Sequence, residues 1–224
     1  MEEYNNNSDF DETWGIYDKP FMQFFTNGLN NEKEPFFSTF FSLSSHPPYT
    51  LPNNYLKKLK KKDNSKKIGI KETISYTDYA IQKFFKEAKD KKWFKNTIFI
   101  ITADHTSPEN YNPKYKNKIG RYAIPLIIFS GDSSLQGKNH NIVQQIDIMP
   151  TVLELLSYNK TFFGFGKSML RGKNWAINFL QNEYRLITNN SIITNKKEQY
   201  NSFSNWNLSK SNKQKGYNKK LLLL

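Results

Sequence analysis

The pair Asp104–His105 combines two side chains that can bind a metal ion, and it directly follows the apolar run TIFIITA at residues 97–103. A continuous apolar run of this length is typical of a strand buried on both faces, as in the parallel sheets of α/β proteins. In such sheets, ligands bind at the carboxyl ends of the strands. Carboxylate oxygen beside imidazole nitrogen suits zinc or manganese better than calcium. The alternative is that Asp104 caps the following turn and His105 is an ordinary loop histidine.

A second residue that could do chemistry is His46, in the segment SSHPPY at residues 44–49. The two prolines that follow remove backbone donors and stiffen the turn, so the imidazole would project with little freedom. An imidazole held in this way can donate a hydrogen bond to developing negative charge or protonate an alkoxide. The alternative is that His46 caps the turn through its own backbone.

The elements that would position these residues alternate between strands and helices. The stretch Gly69–Lys92 has its apolar residues clustered on one side of a helix. It separates a phenylalanine-rich strand candidate at Pro35–Ser44 from the strand that precedes Asp104. A strand–helix–strand order predicts a βαβ unit and a parallel sheet. A short helix is predicted before this unit, at Asp18–Thr26.

The second half of the chain is predicted from shorter patterns. Ile124–Phe129 reads as another buried strand, and Ile142–Leu156 as a helix that Asp147 would cap. Short edge strands are expected near Tyr184–Ile193. From about Ser204 the composition of Asn, Lys and Ser predicts disorder.

The composition limits the function classes. The 33 Lys and Arg residues against 20 Asp and Glu give a net charge of +13, which can attract nucleic acid, anionic lipid or phosphate-rich polymers. The densest run, Lys57–Lys67, has no interleaved aromatic residues, so we expect no specific nucleic-acid binding. The absence of Cys excludes disulfides, zinc–thiolate sites and thiol nucleophiles. No run in the sequence has the length and apolar character expected of a membrane span, and the polar stretch MEEYNNNSDFDE does not have the pattern of a signal peptide.

Several segments together resemble the sulfatase-like domain of the lipoteichoic acid synthase family, within the alkaline phosphatase superfamily. They occur in the family's order and span Trp14 to Leu170. The segments are WGIYD (14–18), PFFSTFFSLSSHPPY (35–49), YTDYAIQKFF (76–85), NTIFIITADH (96–105), IPLIIF (124–129), QQIDIMPTVLELL (144–156) and FGKSML (165–170). The resemblance implies an α/β, alkaline-phosphatase-like fold with a mostly parallel central sheet and helices on both faces.

The same resemblance implies roles for individual residues. Asp104 and His105 would be two ligands of a divalent metal ion, which is Mn²⁺, Zn²⁺ or Mg²⁺. His46 would contact the transferred phosphate or protonate the leaving group. The substrate would be a phosphoglycerol lipid or another phosphate or sulfate ester. Trp14 matches the WG segment of the family, and we expect its ring to belong to the core.

One departure from the family concerns the front of the domain. Family members carry a further carboxylate ligand, a Thr nucleophile and transmembrane helices well before the WG segment, whereas this sequence starts shortly before it. We therefore expect the C-terminal portion of a longer enzyme, with a sheet that is incomplete at its N-terminal side. Alone, it should bind metal weakly and be inactive, and an N-terminal half encoded separately is a candidate partner.

The predicted domain organisation is a polar lead-in at residues 1–13, a partial sulfatase-like domain at 14–187 and an Asn- and Lys-rich extension at 188–224. Family members are anchored in the membrane, with this domain facing the periplasm or the exterior. Two alternatives to the enzyme remain open. The first is an inactive remnant or interaction module that keeps the fold, and the second is a basic polyanion-binding protein.

Overall fold

The computed structural model of the chain describes residues 3–58, 67–109, 112–172, 175–189, 191–196, 199–203 and 211–212. The chain divides into two compact units. Unit 1 comprises Met1–Glu109 and Ile124–Gln136, and unit 2 comprises Asn110–Ala123 and Gly137–Leu224.

Unit 1 is built on two packed helices, α1 (Asp18–Leu29) and α3 (Ile70–Ala88), with a short helix α2 (Asn53–Lys58) between them in sequence. Both long helices confirm the predicted helical patterns. At the start of α3, the Glu72 carboxylate accepts a hydrogen bond from the Gly69 backbone N–H (3.0 Å). This N–H group has no acceptor within the helix, so the side chain satisfies it.

The core of unit 1 is largely aromatic. Leu29, Ala88 and Trp93 are buried at its centre. Partly buried phenylalanines from the two helices and from segments outside them pack around these residues, namely Phe25, Phe36, Phe84, Phe94 and Phe99. The phenylalanine-rich composition therefore supplies the volume that a low content of aliphatic residues would leave unfilled.

Unit 1 also contains a pair of strands, β1 (Ile98–Thr102) and β2 (Leu126–Ser130). They are antiparallel along their whole length, and the rings of Phe99 and Phe129 stack at 4.9 Å. Both strands were predicted, with β2 beginning two residues later than expected. Every strand pair in the described part of the chain is antiparallel, whereas the sequence had indicated a mostly parallel sheet.

The predicted strand at Pro35–Ser44, and with it the βαβ unit, was wrong. These residues form no strand in the structure. Phe40 packs against Phe21 and Phe25 of α1, and the Asp18 carboxylate accepts the backbone N–H groups of Leu43 and Ser44. The phenylalanine side chain and the backbone N–H groups that a strand would direct to a sheet therefore contact α1 instead.

Unit 2 contains a five-stranded antiparallel sheet in the order β3 (Ala176–Leu180), β4 (Glu183–Ile187), β5 (Ile192–Lys196), β6 (Gln199–Phe203) and β7 (Ser211–Asn212). Gln181 and Asn182 join β3 to β4 with φ angles of 54° and 57°, as a two-residue type I′ hairpin turn requires. The strands predicted near Tyr184–Ile193 are confirmed, but β4 and β5 are inner strands of the sheet and not the edge strands that were expected. Of the segment predicted to be disordered from Ser204, residues 211–212 form β7 and the rest lies outside the described residues.

The helix predicted at Ile142–Leu156 is shorter, a single turn at Gln145–Asp147 followed by α4 (Ile148–Leu155). Asp147 does not cap α4 with its side chain. Instead its buried carboxylate accepts hydrogen bonds from the backbone N–H groups of Gln144 (3.0 Å) and Lys167 (2.9 Å). Asp147, which was predicted to be a cap, therefore connects the segment that follows α4 to the residues just before α4. None of the helices in the described stretches is both long and apolar enough to cross a membrane.

Candidate functional site

Asp104 and His105 lie just past the carboxyl end of β1, where the sequence placed them. The Thr102 hydroxyl donates a hydrogen bond to the Pro125 carbonyl (2.9 Å), which ties this end of β1 to the chain entering β2. Asp104 Oδ1 accepts the backbone N–H of His105 (2.8 Å), so the carboxylate is oriented by its own neighbour. Both side chains are exposed.

The ring of His105 is held in one orientation by a backbone carbonyl. Its Nδ1 lies 2.8 Å from the carbonyl oxygen of Thr106. A carbonyl can only accept, so Nδ1 carries the proton and a neutral ring presents the lone pair of Nε2. A histidine whose second nitrogen donates to a carbonyl is the usual arrangement of a metal ligand.

The distance between Asp104 Oδ2 and His105 Nε2 is 3.5 Å. Two ligand atoms that each lie about 2.1 Å from a tetrahedral metal ion are separated by about 3.4 Å. The two atoms can therefore share one ion with little rearrangement. No group of three or more His, Cys, Asp or Glu side chains that could hold a metal ion is found in the described part of the chain. The structure thus brings together two side chains that could serve as metal ligands.

His46 lies in the turn before Pro47, and its ring is exposed and anchored on the backbone. Its Nδ1 is 2.8 Å from the Pro47 carbonyl oxygen, so Nδ1 is the protonated nitrogen and Nε2 is the one turned to other partners. This backbone contact is the one that the alternative interpretation of His46 anticipated. It fixes the tautomer of the ring without occupying Nε2.

Trp14 was predicted to be a core residue, and this was wrong. Its side chain is 54% exposed. The indole N–H donates a hydrogen bond to the carbonyl oxygen of Pro47 (2.8 Å), the same atom that accepts from His46. The Trp14 and His46 rings meet edge to face with their centroids 4.4 Å apart. The aromatic ring therefore supports the histidine instead of filling the interior.

Two buried aspartates that the sequence analysis did not single out hold the backbone segments that carry Trp14 and His46. Asp11 Oδ1 accepts the backbone N–H groups of Thr13 (2.8 Å), Trp14 (2.7 Å) and Gly15 (3.0 Å). This fixes the backbone that carries the indole. Since three donors converge on one oxygen, the lead-in to the WG segment is a defined loop.

Asp18, the first residue of α1, performs the same task for the histidine turn. One carboxylate oxygen accepts the N–H groups of Leu43 (2.8 Å) and Ser44 (3.2 Å), and the other accepts the Thr77 hydroxyl (2.7 Å). The Leu43 carbonyl in turn accepts the backbone N–H of His46 (2.9 Å). The signal that could have revealed this residue is its place at the end of the WGIYD segment.

Asp18 and the neighbouring Tyr76 are both buried. Burial, with a smaller contribution from the Asp18 charge, raises the pKa of the neighbouring Tyr76 phenol well above its ordinary value. A cavity of about 730 Å³ opens near the same turn, and its lining includes Tyr4, Gly15, Phe24 and Leu43. Leu43, which begins the histidine turn, thus bonds to Asp18 through its backbone and also lines this cavity.

Comparison with known proteins agrees with the fold and the motifs. Residues 1–158 match the family model described as Sulfatase. Lipoteichoic acid synthase 1 of Bacillus subtilis (strain 168) is 30% identical over 169 residues, which cover 69% of this chain and 26% of that protein. Lipoteichoic acid synthase of Staphylococcus aureus (strain USA300) is 27% identical over 202 residues, which cover 81% of this chain and 31% of that protein. The chain thus spans about a quarter to a third of the length of these relatives.

A solved structure confirms the predicted fold family. The crystal structure of a protein in the alkaline phosphatase superfamily from Vibrio parahaemolyticus superposes with a TM-score of 0.77 at 22% sequence identity. The match covers 98% of this chain and 54% of that one. At this level of identity the likeness establishes the fold.

Proposed function

We propose that this chain, which belongs to the sulfatase family, contributes the metal-binding pair and a substrate-contacting histidine to the active site of a phosphoglycerol transferase or ester hydrolase. The observation that supports this most directly is the 3.5 Å separation between Asp104 Oδ2 and His105 Nε2, both held by neighbouring backbone groups. The substrate class is a phosphoglycerol lipid or another phosphate or sulfate ester, as the resemblance to the lipoteichoic acid synthase and sulfatase families implies.

The residues divide the chemical work between them. A divalent ion (Mn²⁺, Zn²⁺ or Mg²⁺) on Asp104 and His105 supplies Lewis-acid polarisation of the ester oxygen when it is bound. His46 directs Nε2 outward because Nδ1 is committed to Pro47. A neutral His46 accepts a proton at Nε2, and a protonated one donates it to a leaving alkoxide.

The number of ligands sets the strength of metal binding. Two protein ligands leave the remaining coordination positions to water, so we expect weak binding in comparison with a three- or four-ligand site. Since the pair and His46 make up only part of an active site, we also expect little turnover by the isolated chain. The absence of a third ligand in the described stretches favours a second candidate, a module that keeps the fold but has no activity.

Calorimetric titration with Mn²⁺ and Zn²⁺ tests the metal pair. The parent chain should bind one ion weakly, the variants Asp104→Asn and His105→Gln should lose this binding, and His140→Gln, which changes an exposed histidine of unit 2, should keep it. Binding that survives Asp104→Asn would contradict the proposed pair. Tight binding by the parent would show that a third ligand completes the site.

Hydrolysis of an aryl phosphodiester and of an aryl sulfate separates the two candidates. Slow, metal-dependent turnover that Asp104→Asn abolishes would favour the enzyme. Metal binding without turnover would favour the inactive module. Rapid turnover that does not depend on Asp104 would contradict both.

A further inference from the structure

The ten residues that follow α4, Leu156–Phe165, are all exposed although half of them are large and apolar. We call this segment the aromatic loop. Phe163 is 80% exposed and Phe165 is 78% exposed. The remaining large apolar members are Leu156, Tyr158 and Phe162. Clusters of exposed apolar side chains of this kind mark sites of interaction, because single exposed residues are common but contiguous ones are not.

The loop is fixed at both ends, so its rings are displayed by the fold. At its start, the backbone N–H of Tyr158 donates to the Leu153 carbonyl (2.9 Å). Just past its end, Gly166 passes so close to Ile146 that a Cβ there would clash with the Ile146 carbonyl oxygen. The next residue, Lys167, donates its N–H to buried Asp147 (2.9 Å). The rings of Phe163 and Phe165 contact each other at 5.1 Å.

The aromatic loop and the stretch that follows it contain basic residues and no acidic ones. No acidic residue occurs between Glu154 and Glu183, while Lys160, Lys167, Arg171 and Lys173 do. Glu154 itself is paired with Arg171 (2.8 Å). Lys160 and Lys167 are exposed, one within the loop and one directly after it. The apolar rings are thus flanked by exposed cations.

From these observations we infer that the aromatic loop binds the surface of an anionic lipid bilayer. Aromatic rings are favoured at the boundary between headgroups and acyl chains, and lysines beside them are attracted to anionic headgroups. Both contributions are present in one short segment of fixed shape. Shallow insertion of Phe163 and Phe165 with Lys160 and Lys167 at headgroup level is the mode of binding that this arrangement suits.

Co-sedimentation of the full chain with vesicles tests this surface. Equal parts of phosphatidylserine and phosphatidylcholine provide the anionic surface, and pure phosphatidylcholine the neutral one. The parent should bind the anionic vesicles and bind neutral vesicles far less. The double change Phe163→Ser with Phe165→Ser should lower the partition coefficient about tenfold or more. Lys160→Glu with Lys167→Glu should also weaken binding, and added salt should reproduce that loss.

Matched controls change the same residue types elsewhere. Phe37→Ser removes a phenylalanine that is 90% exposed in unit 1, and Lys33→Glu with Lys95→Glu reverses two exposed lysines of that unit. The Phe37 variant should bind like the parent, and the lysine control should lose less affinity than the Lys160 and Lys167 variant. Equal loss in control and loop variants, or retained binding in the Phe163 and Phe165 variant, would overturn the inference. So would self-association without vesicles that the loop variant abolishes, because the partner would then be a second copy of the chain.

Discussion

Replacement of Asp18 tests whether the histidine turn is held from α1. Its carboxylate is buried and accepts hydrogen bonds from the N–H groups of Leu43 and Ser44 and from the hydroxyl of Thr77. Hydrogen bonds to a charged group contribute about 1.5–3 kcal/mol each, and bonds within one network do not add fully. Asp18→Ala should therefore lower the free energy of unfolding by about 3–5 kcal/mol.

Milder changes at the same place should give graded effects. Asp18→Asn keeps one acceptor oxygen for the two backbone donors and should cost about 1–2 kcal/mol, because the charge is lost but the amide donors stay paired. Thr77→Val removes one bond and should cost about 1 kcal/mol. Asp78→Asn, at the next position but with an exposed carboxylate, should change stability by less than about 0.5 kcal/mol.

Urea-induced unfolding gives the free energies, and hydrogen exchange at the Leu43 and Ser44 amides gives their local protection. In Asp18→Ala, both amides should exchange faster by a factor larger than the change in global stability explains. If Asp18→Ala were as stable as Asp78→Asn, or if the protection of the two amides fell no more than the average, the turn would not depend on Asp18.

Three further predictions concern other contacts. Trp14→Phe should shift the ¹⁵N resonances of His46, because the indole donor to the Pro47 carbonyl is lost. Trp93→Phe, which removes an indole hydrogen bond to Asn30 (3.1 Å), should leave these resonances unchanged. Equal shifts in the two variants would contradict a specific contact between Trp14 and the His46 turn. Burial alone would raise the pKa of Glu183, but the hydrogen bond and charge of Arg185 lower this pKa in the folded protein. The ionised Glu183 carboxylate therefore stabilises the fold above its unfolded-state pKa, and this stabilisation is lost as the pH falls through its folded-state pKa. The difference in melting temperature between the parent and Glu183→Gln should thus shrink between about pH 5 and pH 2, and a constant difference would refute this. Filter binding should show feeble DNA affinity at physiological salt, and sub-micromolar affinity would contradict the expectation of no specific nucleic-acid binding.

Local patterns in the sequence were sufficient to predict much of the secondary structure. The spacing of apolar residues in α3 and the unbroken run before Asp104 are set by residues close in sequence, and both elements form as expected. The adjacent placement of Asp104 and His105 needed no tertiary information either. Their shared geometry follows from backbone groups one residue away.

The errors arose where distant residues decide the structure. Pro35–Ser44 has the composition of a strand, but Asp18, more than twenty positions earlier, takes two of its backbone donors. Trp14 looked like a core residue because tryptophan is usually buried, yet its N–H is bonded to Pro47 in a turn 33 positions away. The direction of strand pairing likewise depends on non-local contacts, which periodicity alone does not report.

One metal ion should bind between Asp104 and His105, and the tautomer of His105 makes this binding directly testable. The chain has three histidines, so their ¹⁵N ring resonances can be assigned from single substitutions. Nδ1 of His105 donates to the Thr106 carbonyl, which leaves Nε2 facing Asp104. Titration with Zn²⁺ should therefore shift Nε2 of His105 first, with His140 unchanged, and Asp104→Asn should abolish the shift. A shift at Nδ1 of His105, or a first response at His140 that Asp104→Asn does not alter, would contradict the proposed metal pair.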